Sequence, residues 1–587
     1  MKPYDLLLVH AHRDSFAAFY EDVSIGTNLL AGTLRARGFE VGYFRGFAVE
    51  AAAWIRAEWR GRGARAIGFY CDYENETLIA EMGRGLRAVS DLPLIVGGPQ
   101  ACFLQEDFFR RSGCWAAVRG EAEDTVAELL ALLRNGSGSR EGIAGISFPG
   151  PDGRLIRNPD REPIADLNAL PWPDFTMEKN HAHWVSLPVL SGRGCPFRCG
   201  FCFQGAVSTR VRLRSVAEVM REIRHHFAVH ANLRSVYFVD DTFTLHPGRV
   251  GEFCEELARL RQERDFVWFC EGHVQTLHRW PEMAEQMAAA GLVKIFIGVE
   301  SGSDRMLQLY RKQTTAAMIE ETVGQLVRAG IPQVVGNIIL GGPQESPDTV
   351  RESRELVFRL LDAHPGRFDC LGFFLVPFPG TAVAEQPDAL GLRLLDHGRK
   401  AVVDDIPFTE TESLSFPDLF RIRREFHRQT LTRMRELFLA GQIPRPVLES
   451  IYHLHGRYGI GSRWMQNIFR LYPMSHRYYS MLAGKAIRSP KGVSCVRIRR
   501  WRPRRLFEIW NGVRFTNGYP ELAGIPLSPL EYELLLPCTG KLTLDEILEK
   551  TFPKFQERFP DRAAFRRLAR QLLLKMEARC WIGFHEA

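Results

Sequence analysis

No uninterrupted apolar run in this chain approaches the roughly 18 to 20 residues that carry a helix across a bilayer, so no membrane span is expected. The opening residues, 1–10, show no basic segment leading into a long apolar stretch and a small-residue cleavage site, and no secretory signal is expected. Paired cysteine spacings are also missing. Outside one tight group the thiols stand singly, at Cys71, Cys102, Cys114, Cys254, Cys270, Cys370, Cys495, Cys538 and Cys580, which suits a reducing cytoplasm and excludes a disulfide framework. A surplus of one charge is scarce: +7 over 587 residues argues only weakly for an acidic partner. What is present is an ordinary globular mixture, 45% hydrophobic and 25% charged, on a chain too long for one core, so about three or four domains are expected.

The tight group is Ser191-Gly192-Arg193-Gly194-Cys195-Pro196-Phe197-Arg198-Cys199-Gly200-Phe201-Cys202, directly after the apolar run 185–190. Its spacing is C-x-x-x-C-x-x-C, and no fourth cysteine accompanies it. A four-iron cluster fully ligated by protein takes four cysteines, so three leave one iron open. The paired C-x-x-C sets of zinc ribbons are absent, and no His or Cys follows at zinc-finger distance, which makes zinc the weaker reading. Here the chain resembles the radical S-adenosylmethionine superfamily, whose motif carries an aromatic residue where Phe201 stands and follows the first strand of a partial βα barrel. The resemblance implies that Cys195, Cys199 and Cys202 are the catalytic cluster ligands, holding a [4Fe-4S] cluster whose open iron chelates S-adenosylmethionine.

Upstream, apolar strands at 6–10, 41–44, 66–70 and 92–96 and a last unit at 115–133 alternate with helical stretches, the pattern of an open doubly wound sheet. Such sheets take ligands beyond the carboxyl ends of their strands. Three turns fall there: Tyr70-Cys71-Asp72-Tyr73-Glu74-Asn75, Gly97-Gly98-Pro99-Gln100 and Arg119-Gly120-Glu121-Ala122-Glu123. Together they resemble the cobalamin-binding domain found ahead of the barrel in one branch of radical S-adenosylmethionine enzymes. That implies cobalamin contacts from Tyr70, Asp72, Gly97, Gly98, Pro99, Gly120 and Glu121; a cofactor-free flavodoxin-like sheet is the alternative. The D-x-H-x-x-G motif of domains that place histidine on cobalt is missing, so no histidine is expected below the metal, and His10 and His12 read as ordinary polar residues at a strand end.

A Gly/Ser break at 135–139 and a proline-rich stretch at 149–173 mark a linker. Beyond it, strand signals at 185–190, 235–239, 267–271, 294–299, 334–340 and 371–376 fit a partial (βα)6 TIM-type barrel with functional residues at the strand ends. The second strand ends in Asp240-Asp241, acceptors for ribose hydroxyls or the methionine ammonium, or merely caps of the next helix. The third ends at Cys270-Glu271-Gly272-His273, near the expected substrate. By resemblance to the family's G-x-E-S-G run, Glu300 and Ser301 contact S-adenosylmethionine, and Gly341 and Gly342, on a glycine-bearing strand, pack along its adenine; Phe201 joins this set.

Residues 414–482 read as helices rich in Arg, His and aromatics, a cover for the barrel mouth. The basic run 497–505 reads as a solvated edge strand. A strand around 506–515 and three helices, two of them opened by capping boxes at Ser528 and Thr543, resemble a small winged-helix module of the kind attached to some radical enzymes that modify ribosomal peptides. The expected class is therefore α/β: 1–138 a cobalamin-binding-like doubly wound sheet, 139–183 linker, 184–400 radical S-adenosylmethionine barrel, 401–490 helical region, 491–587 winged-helix-like module. The resemblance implies a cytoplasmic, cobalamin-dependent C-methyltransferase acting on a natural product or peptide, fed by a flavodoxin- or ferredoxin-type electron donor, with neither membrane nor nucleic acid as partner. A cyclase or rearrangement enzyme without methyl transfer, and an iron–sulfur peptide- or nucleic-acid-binding protein, are the alternatives.

Overall fold

The computed structural model describes residues 2–12, 23–136, 138–179, 181–396, 405–490, 493–516 and 518–586. They fall into two compact units, Met1–Leu360 with Cys370–Gln429, and Leu361–Asp369 with Thr430–Ala587.

The first unit opens with a sheet. Strands β1 (Leu6–His12), β2 (Val41–Phe47), β3 (Ile67–Tyr70), β4 (Leu94–Gly97) and β5 (Ala116–Val118) lie parallel in the order β2-β1-β3-β4-β5. Helices α1 (Ile25–Ala36), α2 (Ala48–Gly61), α3 (Glu76–Arg87), α4 (Glu106–Ser112) and α5 (Glu123–Asn135) connect and follow them. Side chains alternate across a strand, and in β1 they feed two cores: Leu7 and Val9 pack with Ile55, Phe69 and Ile79, while Leu6 and Leu8 pack with Leu34, Val118 and Val126. Burial on both faces is why these strands read as unbroken apolar runs. The strand order reverses at β1 and β3, so the ligand crevice of such a sheet falls where those two strands end.

The stretch read as linker contributes to the same sheet. Strands β6 (Ile146–Pro149) and β7 (Leu155–Arg157) add to β5 antiparallel. The proline and glycine around them read as loop, yet Pro149 is the last residue of β6, opposite Leu155 of the edge strand β7, at the end of the ladder.

The barrel follows. Strands β8 (Ser186–Val189), β11 (Ser235–Phe238), β12 (Val267–Gly272), β13 (Leu292–Glu300), β14 (Gln333–Leu340) and β15 (Phe368–Phe374) form one six-stranded sheet in chain order. All six expected strands are present. After β8 a short antiparallel hairpin, β9 (Gly192–Arg193) with β10 (Arg212–Leu213), brackets the loop that carries the three cysteines.

The second unit contains helices Arg445–Tyr458, Arg463–Leu471 and Pro473–Ala483, then a small core built on Trp501, Leu534, Ile547, Phe565, Leu573 and Ile582. Around that core stand helices Pro529–Leu535, Leu544–Thr551 and Arg562–Ala578, with a three-stranded hairpin sheet, Val513–Thr516, Tyr519–Leu522 and Ile525–Pro526. Ser528 with Glu531 and Thr543 with Glu546 form the two expected capping boxes. The strand expected at 506–515 begins only at Val513, because Ile509–Gly512 is a helical turn in which Gly512 lies against the Phe507 ring. Within the basic run only Arg502–Arg505 is extended, paired with Ile582–His585. The expected boundary at 400/401 lies outside the described residues.

Candidate active site

The cysteine loop is shaped before any ligand enters it. Gly194 has φ 91° and a side chain there would lie 2.3 Å from the Arg210 carbonyl, so only glycine closes the hairpin onto the loop. The Cys195 amide donates to the Ser208 carbonyl at 3.1 Å, the Gly200 amide to the Tyr310 carbonyl at 2.9 Å, and the Cys202 amide to the Cys199 carbonyl at 3.1 Å. All three thiols are half-buried. Among the described residues no three His, Cys, Asp or Glu side chains converge on a single metal ion. Three thiols on one short loop are the donors an iron–sulfur cluster takes.

Asp240 and Asp241 brace this loop. Asp240 accepts from the Ser191 amide at 2.6 Å and from the Ser191 hydroxyl, and Arg249 holds Ser191 from the other side, 2.8 Å from its carbonyl. Burial pushes the Asp240 carboxyl up to about 6. Asp241 is raised by burial too and bonds the Gly194 amide and the Gln204 side chain. Both carboxylates thus bond donors of the cysteine hairpin, because the strand end lies against the loop.

The fourth barrel strand supplies the buried charges. Glu300 has φ 57°, and its Oε1 accepts from Lys312 Nζ at 2.8 Å with both side chains buried. A Cβ at Gly298 would lie 2.1 Å from that oxygen and 2.5 Å from Nζ, so glycine makes room for the pair. Burial raises the Cys199 thiol to about 11, and Lys312 opposes the shift. Burial alone would depress Lys312, but Glu300 and Cys199 outweigh it and its net shift is upward. Lys312 was not among the residues the sequence singled out; its only signal is a lysine in the loop after the Gly298-Val299-Glu300-Ser301-Gly302 run.

The Ser301 hydroxyl lies 2.9 Å from that of Ser353. The Gly341 and Gly342 amides both donate to Glu345 Oε2, at 2.5 and 3.3 Å, and burial pushes this carboxyl up to about 7. A Cβ at Gly342 would collide with the Tyr310 hydroxyl at 1.9 Å, and Phe201 meets the Tyr310 ring edge-on at 5.2 Å. His273 lies flat on Phe197 of the cysteine loop, 3.7 Å between centroids. Its Nδ1 accepts from the Gln275 amide at 3.2 Å, which places the ring proton on Nε2, and burial holds the imidazole down at about 3.

Between the N-terminal sheet and the cysteine loop lies a cavity of about 700 Å³. Tyr70, Gly97, Gly98, Pro99, Gly120 and Glu121 line it on the sheet side; Phe203, Gln204, Val207 and Ser208, just past Cys202, line it on the barrel side. Leu6, Leu8 and Leu29 form an apolar depth. A Cβ at Gly120 would meet nothing within 4 Å, so that glycine leaves open space beside its backbone, whereas Gly98, at φ 110°, is required because a Cβ would lie 2.6 Å from the Cys71 carbonyl. Asp72 is not part of the lining: its Oδ1 accepts from the Glu74 and Asn75 amides at 3.0 and 2.9 Å and shapes the turn. Arg119 is anchored on Ser147, Asp160 and two carbonyls of the β6–β7 region. An open-rimmed, part-apolar cavity with glycine walls fits the nucleotide end of a corrinoid. The six-strand barrel end closes against it through aromatic contacts, Phe103 with Phe203 at 5.9 Å and Tyr73 with Phe378 at 5.4 Å.

Comparison with known proteins matches residues 189–357 to the radical SAM superfamily model and residues 18–130 to the B12 binding domain model. An uncharacterized methyltransferase of Pyrococcus horikoshii is 28% identical over 387 residues, 65% of this chain and 78% of the relative. The anaerobic magnesium-protoporphyrin IX monomethyl ester cyclase of Rubrivivax gelatinosus is 26% identical over 45% of this chain and 49% of its own length, so the chain spans about half of that relative. Among solved structures, the radical S-adenosylmethionine methyltransferase TsrM from Kitasatospora setae, with tryptophan and an S-adenosylmethionine analogue bound, superposes with TM-score 0.54 at 18% identity over 66% of this chain and 78% of that one. The cobalamin-dependent radical enzyme OxsB, with aqua-cobalamin and S-adenosylmethionine bound, gives 0.60 at 16% over 99% and 84%. At these identities the structural likeness is one of fold.

Proposed function

We propose that this chain, a radical S-adenosylmethionine enzyme with a B12-binding domain, is a cobalamin-dependent C-methyltransferase of a small-molecule or peptide substrate. The observation that carries the reading is the shared cavity, with six residues at the carboxyl ends of the N-terminal strands on one wall and the helix after Cys202 on another. A methyl carrier in that cavity and a cluster on that loop serve one reaction volume. The likeness to an uncharacterized methyltransferase supports the same reading.

Cys195, Cys199 and Cys202 would hold the cluster. When bound, the reduced cluster with S-adenosylmethionine supplies a carbon radical and the corrinoid supplies a methyl group. Glu300 and Lys312 present one negative and one positive group beside Cys199, the complement of the amino and carboxylate groups of the cofactor's methionine. Glu345 fixes the Gly341–Gly342 backbone at the end of its strand. Phe197, stacked on His273, shields the loop from water. A one-electron donor of flavodoxin or ferredoxin type and a reducing cytoplasmic setting complete the scheme, the latter suited to a chain in which the described cysteines are free thiols. No described helix is long and apolar enough to cross a membrane. The C-terminal three-helix module is the part we assign to substrate recognition, which favours a peptide.

The test is anaerobic purification with quantification of iron and corrinoid, followed by assay of S-adenosylhomocysteine and 5′-deoxyadenosine under reduction. Both products, with corrinoid bound, are expected. The likeness to an anaerobic cyclase supports a second reading, ring formation without methyl transfer. 5′-Deoxyadenosine without S-adenosylhomocysteine would establish that second reading and overturn the first.

A further inference from the structure

A knot of four charges, two buried and two partly buried, ties the base of the cysteine hairpin to the ligand end of the N-terminal sheet. On the hairpin stand Arg193 of β9 and Arg212 of β10, the residues that flank the whole cluster loop. On the sheet stand Glu121 and Glu123, just past β5. Arg193 reaches Glu121 at 3.0 Å and Glu123 at 2.5 Å. Arg212 grips Glu121 with two nitrogens, at 2.6 and 2.9 Å, and bonds the Ile164 carbonyl at 2.7 Å. The Ile164 amide returns a bond to Glu121 Oε2 at 2.7 Å. Arg212 and Glu123 are 8% and 5% exposed, and all four charged side chains line the 700 Å³ cavity.

Two features give the knot more than a packing role. The charges cancel, so Arg212 or Glu123 left alone would be a buried, uncompensated ion. The two arginines also stand at the two ends of the cluster loop, one on each strand of the hairpin that closes it, so holding them to the sheet holds both ends of 194–211. Glu121, expected as a direct cobalamin contact, already has both oxygens occupied by protein donors.

We propose that Glu121 and Glu123 are positioning residues for the methyl transfer: by gripping Arg193 and Arg212 they hold the cluster hairpin against the corrinoid cavity, so that corrinoid occupancy and order of the cluster loop are coupled. The proposal rests on the corrinoid reading of the cavity. Coupling is reciprocal, so a corrinoid that steadies the hairpin is itself bound more tightly when the hairpin is steady.

Hydrogen exchange of the full-length protein tests it, with and without hydroxocobalamin, in the wild type, Glu121→Gln, Arg212→Gln and the double variant. In the wild type, hydroxocobalamin is expected to slow exchange at 192–213. Each single variant is expected to exchange there roughly tenfold faster without corrinoid and to lose the corrinoid-dependent slowing. The double variant is expected to be no worse than either single one, because the pair acts as a unit. Glu123→Gln, which removes one bond and leaves the Glu121 grip, provides the same comparison if the others fail to fold, with a smaller change at the same residues. Wild-type protein that binds no hydroxocobalamin would overturn the corrinoid reading and the coupling with it. Normal corrinoid binding with unchanged exchange at 192–213 in the variants, or additive effects in the double, would overturn the clamp alone.

Discussion

Glu300 and Lys312, a buried ion pair, are the side chains we propose for recognition of the methionine end of S-adenosylmethionine. Glu300→Gln keeps the shape but removes the charge, so S-adenosylmethionine binding is expected to weaken by about 1.5 to 3 kcal/mol while the iron content stays normal; isothermal titration of the reconstituted protein checks it, and unchanged affinity would assign Glu300 to the fold. The same substitution leaves Lys312 buried beside half-buried thiols, so some loss of stability accompanies it. A second residue-scale expectation concerns cobalt. His10 is buried between the rings of His12 and Tyr70, 4.3 Å from each, and neither histidine lines the cavity. The electron paramagnetic resonance spectrum of the cob(II)alamin form is therefore expected to lack nitrogen splitting from an axial imidazole; its presence would place a histidine on the metal. Of this site the cysteines were plain in the sequence, since three thiols in eight positions have few other uses, and Glu300 stood in a recognisable run. Lys312 was not, because its partner is fixed by the left-handed turn at Glu300 rather than by any local spacing.

At the scale of elements, the cluster hairpin depends on one glycine. Gly194→Ala would force a Cβ to within 2.3 Å of the Arg210 carbonyl at a φ that alanine resists. The expected result is a folded protein, judged by unchanged far-ultraviolet circular dichroism, that loses most of its iron after reconstitution. Full iron retention would show that the loop tolerates a different entry. The barrel strands were legible because parallel strands covered on both faces are continuous apolar runs, and Val334 to Leu340 or Lys294 to Val299 admit little else. Strands β6 and β7 were hidden by their shortness and by the Pro149-Gly150-Pro151-Asp152-Gly153 turn between them. The Arg193 and Arg212 contacts were hidden by distance along the chain: their glutamates lie 70 and 91 residues away.

For the whole molecule, two buried histidines set an acid limit. Burial holds His226 and His273 near 3, from an ordinary value of 6.5. Below pH 6.5 the unfolded chain takes up protons that the fold refuses, so stability is full above that pH and falls as pH drops toward 3. Each such group contributes up to about 1.4 kcal/mol per pH unit in that window. Urea midpoints measured from pH 7 to 4.5 should fall, and His226→Gln should flatten the fall; an unchanged slope would show that His226 is protonated in the fold.

On the proposed function, the cavity holds a corrinoid that receives a methyl group beside the cluster. The most direct test is the S-adenosylhomocysteine formed by the reduced full-length protein carrying cluster and hydroxocobalamin, measured with S-adenosylmethionine added and corrinoid omitted in parallel. S-Adenosylhomocysteine is expected in proportion to the corrinoid bound, and none without it. Bound corrinoid with no S-adenosylhomocysteine, while 5′-deoxyadenosine still accumulates, would contradict this reading.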